Sequence, residues 1–123
     1  RFESFLPQLV SMGVEIHTRS VYLQGLFQME PIQVPNYLEP LQNYLKIVRK
    51  IAKRNQLSIG EICLRFVINN PFINKVVIGI DNLSQLKDNV SICQIDNLSE
   101  EIMIELLSIE VKEKKLLNPV NWK

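Results

Sequence analysis

The chain has 123 residues, 46% of them hydrophobic, and 14 Lys and Arg against 13 Asp and Glu leave a formal net charge of +1. That is enough apolar material for one buried core and most simply one domain, and too even a charge balance to point to nucleic acid or an anionic membrane as partner. Cys63, Cys93 and a lone histidine are too few for a metal centre, which needs about four ligands. Two small buried thiols in a reduced, cytoplasmic protein are the expectation, since no export signal is present and no apolar run approaches the roughly 18 residues of a membrane span.

The first residues are already in helical register, with Phe2, Phe5, Leu6, Leu9 and Val10 at three- and four-residue spacing and Gly13 where a helix terminates. A chain that opens inside an amphipathic helix reads as a piece of something longer, a fragment or a very truncated paralogue. Residues 14–21 alternate, with Val14, Ile16 and Thr18 against Glu15, His17 and Arg19, the period of a strand. Gln24-Gly25, Pro31 and Pro35 then exclude a regular helix. Leu38, Leu41, Leu45, Val48, Ile51 and Ala52 predict a helix over 38–54, with Lys46, Arg49, Lys50, Lys53 and Arg54 on a solvated face.

Ser58 and Glu61 form a capping box for a third helix, which carries Ile59, Ile62, Cys63, Phe66 and Val67 on one face and ends before Pro71. Residues 75–80, KVVIGI, are a continuous β-branched run, as in a parallel strand buried on both faces. Asn82 caps the next helix, whose buried stripe is Leu83, Leu86 and Val90. A last helix starts at Ser99, with Ile102, Met103, Leu106, Leu107 and Ile109 as its apolar face. Strands separated by helices imply βαβ connections and a parallel pair, an α/β fold.

Ligands of α/β folds bind beyond the carboxyl ends of strands, and helix N-termini favour anions. Gly79 stands at such an end, just before a helix; Ser20, Gln24 and the Gly25 amide stand at the other. Two strand ends of one parallel sheet lie side by side, so the two loops can hold two parts of one extended ligand, for which a nucleotide with a pyrophosphate is the natural choice.

At these residues the chain resembles the carboxyl-terminal part of the aldo-keto reductases, nicotinamide-dependent (β/α)8-barrel oxidoreductases. GVEIHTRSVYLQGLF is similar to the family's seventh strand and following loop. SIGEICLRFVINNPFINKVVIG resembles its seventh barrel helix and eighth strand, and GIDNLSQLKDNV resembles its phosphate-binding turn. The resemblance implies a partial TIM barrel: the last two parallel strands with their helices, plus two extra helices, in a single domain over 1–123. It implies that Ser20, Tyr22, Gln24 and Gly25 lie along the pyrophosphate and nicotinamide side of a bound NAD or NADP. Gly79, Asp81, Gln85 and Asn89 then surround the adenosine end. Arg19 falls where many members stack an aromatic residue on the nicotinamide, a role a planar guanidinium can also fill. Many NADP-specific members place Lys or Arg on the 2′-phosphate; here Gly79 and Gln85 match those positions, with acidic Asp81 beside them, which favours NAD. The basic face of the helix over 38–54 is the one alternative source of positive charge.

The family's proton-supplying Asp, Tyr, Lys and His belong to the barrel's first half. His17 has no acidic partner at a readable spacing, and no lysine is placed to activate Tyr22, Tyr37 or Tyr44. The implied function is thus the cofactor-binding portion of an NAD(P)H-dependent oxidoreductase that reduces aldehydes or ketones, not expected to catalyse alone. A non-catalytic pseudo-enzyme or interaction module that retains the fold is the alternative. Exposed strand edges and apolar inner faces imply self-association.

Overall fold

Along residues 3–122, which the computed structural model describes, the elements follow as helix, strand, helix, helix, strand, helix, helix. Phe2 lies outside the described residues. A 3-10 turn over Glu3–Phe5 leads into α1, Leu6–Ser11, and Gly13 follows at φ +75°, the left-handed geometry that suits glycine after a helix end. The helical register is present, yet α1 buries no side chain fully, and Phe5 and Val10 are exposed.

Strands β1, His17–Arg19, and β2, Lys75–Val77, pair in parallel with His17 opposite Lys75 and Arg19 opposite Val77. Both are shorter than the alternation over 14–21 and the apolar run over 75–80 imply. Ser20, at φ +64°, turns the chain out of extended geometry. At the other end Asn74 replaces the ladder: its Oδ1 accepts from the Ile16 amide at 2.8 Å, and its own amide donates to the Ile16 carbonyl at 2.9 Å.

The expectation that β2 is buried on both faces is corrected. Val77 is 57% exposed, because among the described residues no second layer covers that side of the sheet. Beside Val77 the free face carries a charged cluster. Glu15 Oε1 lies 2.6 Å from Lys75 Nζ and 2.9 Å from His17 Nε2. His17 therefore does have an acidic partner, two residues back, where the strand period puts both side chains on one face. The Lys75 ammonium, and then His17, hold the Glu15 carboxyl below its usual value of 4.5.

Helix α2, Gln42–Arg54, begins later than residue 38 because Asn36–Leu41 forms a 3-10 stretch around Pro40, which disfavours α geometry at Glu39. Its stripe is buried as the period requires, from Leu38 and Leu41 through Leu45, Val48, Ile51 and Ala52. In α3, Ile59–Ile68, the Ser58 hydroxyl accepts from the Glu61 amide at 3.1 Å, and Glu61 Oε2 accepts from the Ser58 amide at 2.7 Å. Leu64 and Arg65, off the predicted face, are buried too. The segment after the next helix meets the Arg65 side of α3, as Arg65 donates to the Asp96 carbonyl and Asn69 Oδ1 accepts from the Leu98 amide at 2.9 Å.

Helix α4, Leu83–Cys93, is capped by Asn82, but its predicted stripe is overturned: Leu83 is 64% exposed, and Leu86 and Val90 are exposed as well. The helix turns its Ile92 side to α3, where that side chain is buried beside Gly60, and none of the described residues covers the opposite stripe. Cys93 is consequently exposed, and only Cys63 is a buried thiol. Helix α5, Glu100–Leu107, is capped by Ser99; it buries Ile102 and half-buries Met103 and Leu106, while Leu107 faces solvent.

The core has two centres. One joins α2, α3 and α5 through Val48, Ile51, Ala52, Ile62, Cys63, Leu98 and Ile102; the other gathers Leu26, Val34, Leu38, Leu41 and Leu45, with Trp122 packed against it. Phe27 packs against both.

The α3 cap generates a measurable expectation. Removing the Ser58 hydroxyl (Ser58→Ala) lowers stability by about 1 kcal/mol at neutral pH. Glu61 is held below its usual 4.5 by the hydrogen bonds from Ser58, so its contribution is present above that pH and is lost as pH falls through the folded-state value. Chemical denaturation of Glu61→Gln should then show a shallower loss of stability below pH 4.5 than the parent chain.

Candidate functional site

The site is built on the turn after β1. Ser20, Leu23 and Gln24 sit at φ +64°, +45° and +54°, and Gly25 at +80°. Left-handed geometry costs an ordinary residue about 1–2 kcal/mol, so a run of such residues persists only where surroundings over-determine it. Here they do. Leu26 is 1% exposed in the second core centre, Val21 and Tyr22 pack against the first, and Phe27 against both. Backbone bonds close the loop on itself, from the Leu23 amide to the Ser20 carbonyl at 2.8 Å and from the Gln28 amide to the Gly25 carbonyl at 2.9 Å.

From the other side Arg49 straps the loop to α2, donating to the Phe27 carbonyl at 3.4 Å, to the Met29 carbonyl, and to Glu30 Oε1 at 3.2 Å. Periodicity assigns Arg49 to a solvated basic face. It lies one turn after the buried Leu45 and one before the buried Ala52, at the border of the apolar stripe. Lys46, Lys50, Lys53 and Arg54 are exposed, Arg54 pairing with Glu105.

Beyond the ends of both strands this loop, α3 and α4 enclose a cleft of about 910 Å³. All nine residues singled out in the sequence line it: Arg19, Ser20, Tyr22, Gln24 and Gly25 from the first junction, Gly79, Asp81, Gln85 and Asn89 from the second. The parallel pairing of β1 with β2 brings the two junctions together. At the start of α4 the Gln85 side chain is already engaged, its Oε1 accepting from the Asp81 amide at 2.8 Å, while the Gln85 amide donates to Asn82 Oδ1 at 3.0 Å. Across the cleft the Tyr22 hydroxyl donates to Asn89 Oδ1 at 2.8 Å. Burial pushes the Tyr22 phenol up to about 12, so it remains a neutral donor through the physiological range.

Sequence reasoning missed part of the wall. Ser58, Gly60 and Glu61 line the cleft from the start of α3, and Asp88 from α4. The first three are legible only as a cap; their second role follows from α3 packing beside α4. Arg19 is the one basic side chain among the lining residues, against the carboxylates of Glu61, Asp81 and Asp88. None of the basic residues of α2 lines the cleft, so the expected alternative source of positive charge is withdrawn.

Residues 6–110 match the profile described as the Aldo/keto reductase family. The chain belongs to the aldo/keto reductase family. No curated protein matches it. The match spans both strand–loop junctions of this aldo/keto reductase chain and thus all nine residues of the cleft.

The two cleft glycines differ in what they require. Gly25 needs its left-handed φ, whereas Gly79 lies outside that range and has open space where a Cβ would stand. In thermal melts Gly25→Ala should lose about 1 kcal/mol, and Gly79→Ala should be neutral or slightly stabilising.

Proposed function

We propose that this chain is the nicotinamide-cofactor-binding portion of an oxidoreductase that reduces aldehydes or ketones, its two strands being the last two of a (β/α)8 barrel. The observation that supports the reading most is that two junctions far apart in sequence meet at one cleft of about 910 Å³. A dinucleotide is long enough to need both, and the residues suit it. The loop over 20–25, with successive left-handed residues, aims backbone amides as an anion-binding concavity does and serves the pyrophosphate. Ser20 and Gln24 add side-chain donors there. Arg19 offers its planar guanidinium to the nicotinamide face. Gly79 carries no side chain into the cleft, so a ligand can approach its backbone closely.

The adenosine end falls to Asp81, Gln85 and Asn89. Glu61, Asp81 and Asp88 repel a 2′-phosphate, whereas a carboxylate accepts bonds from a ribose diol, so NAD is the preferred cofactor.

When bound, the nicotinamide supplies the hydride; proton supply is the protein's share. On this reading the chain does not catalyse by itself. The Tyr22 phenol, raised to about 12 by burial, is poorly matched to proton transfer near neutral pH. His17, with Glu15, lies outside the cleft. The free thiols of Cys63 and Cys93 suit the cytoplasm.

A non-catalytic module that retains the fold is the second reading. The uncovered stripe of Leu83, Leu86 and Val90 favours it, continuing into an uncharged groove of about 420 Å³ beside β2. Self-association through that surface follows, and a clean monomer by light scattering at high concentration contradicts it.

Titration with NADH and NADPH, following nicotinamide fluorescence, tests the main reading. Saturable binding is expected, tighter for NADH, and weakened about tenfold or more by Gln24→Ala or Gly79→Asp. Tighter binding of NADPH would overturn the cofactor preference. No binding of either would overturn the cofactor reading and leave the non-catalytic module.

A further inference from the structure

Family resemblance puts Tyr22 on the nicotinamide side of the ligand and Asn89 at the adenosine end, as though they acted apart. Their side chains instead meet, with the Tyr22 hydroxyl donating to Asn89 Oδ1 at 2.8 Å across 67 positions of sequence. A side-chain amide carries one acceptor oxygen and one NH2 with two donors. With Oδ1 engaged by Tyr22, the orientation of the Asn89 amide is set and its NH2 is the free end; among the described residues nothing accepts from it. Tyr22 is itself well anchored, since its ring packs on the core centre formed by α2, α3 and α5. The loop that carries it is closed by its own backbone bonds. The phenol can also keep this arrangement at any ordinary pH, because burial holds it neutral up to about 12.

We infer that Tyr22 is a positioning residue for the far end of the ligand: through Asn89 it presents the amide NH2 as a donor, so that this part of the cleft selects a hydrogen-bond acceptor, such as a ring nitrogen or a carbonyl oxygen. The inference rests on the cofactor reading and departs from direct contact between Tyr22 and the ligand. The bond does a second thing. It ties the loop after β1 to α4, the helix whose outer stripe is uncovered, and so fixes the separation of the two walls.

A double-mutant cycle on the 123-residue chain tests it, with NADH as the probe and Tyr22→Phe, Asn89→Ala and the pair as variants. Tyr22→Phe keeps the packed ring and removes only the hydroxyl. It should weaken NADH binding about fivefold, the scale of one net hydrogen bond, and should cost nothing further once Asn89 is alanine. A purely structural role is separated by NMR: the Asn89 side-chain amide protons should shift on adding NADH to the parent chain and shift less in Tyr22→Phe. Asn89→Asp provides a second variant, because it keeps an acceptor for Tyr22 yet offers no donor. It should bind NADH as weakly as Asn89→Ala while retaining the parent melting temperature. Additive losses in the cycle, or undiminished binding by Asn89→Asp, would overturn the inference and leave the cofactor reading intact. Failure of the parent chain to bind NADH at all would remove the cofactor reading, and this inference with it.

Discussion

The loop wall of the cleft depends on the packing of Leu26 and Phe27. A turn in which Ser20, Leu23, Gln24 and Gly25 all take positive φ is unfavourable in isolation, and two core centres hold it by filling both sides of one short stretch. Leu26 sits among Val34, Leu38, Leu41 and Leu45; Phe27 reaches across to the helices of the other centre. Arg49 then takes up the carbonyls that the turn exposes. The loop is irregular in shape and rigid in consequence, the combination a binding surface needs, since residues fixed before a ligand arrives lose little freedom when it does.

The second wall is made differently. Helix α4 is positioned by a cap at Asn82, a side-chain staple from Gln85 to the Asp81 amide, and Ile92 against α3. These act on its ends and on one side only. Helix α3 is the common support, because it touches α2 and the core on one flank and α4 on the other, and its own N-terminus opens into the cleft. Parallel pairing of just three residues in each strand is enough to bring the two walls to the same end of the sheet.

Legibility in the sequence follows the range of the interaction concerned. Caps are local, and Ser58 with Glu61, Asn82 with Gln85, and Ser99 are all found where the residues alone place them. The order of elements and the parallel pair are likewise read correctly, because periodicity and β-branched runs are properties of single segments. Burial is a property of what stands opposite. The stripe of Leu83, Leu86 and Val90 and the apolar run of β2 have the pattern of buried surface, but within these residues no element covers them. The reverse case is Arg65, off the expected face of α3 yet buried, its guanidinium donating to the Asp96 carbonyl some thirty residues further on. Of the nine cleft residues, Ser20, Gln24, Gly25 and Gly79 are marked by strand ends and glycine junctions, whereas Arg19, Tyr22, Asp81, Gln85 and Asn89 are legible only through the family resemblance. Arg49 is legible in neither way, since a strap to distant carbonyls looks like any other basic residue on a helix.

The uncovered outer stripe of α4 gives the cleft one stiff wall and one soft wall. Segments with few buried apolar contacts open most readily, so amide hydrogens of α4 should exchange with solvent sooner than those of α2 or α3. A molecule that bridges loop and helix binds only while both are formed, and mass action then transfers part of its binding free energy to the weaker of the two. In this fold a molecule bound in the cleft and one laid over the stripe would stabilise the same helix from opposite sides. Each would then tighten the hold of the other without the two ever touching.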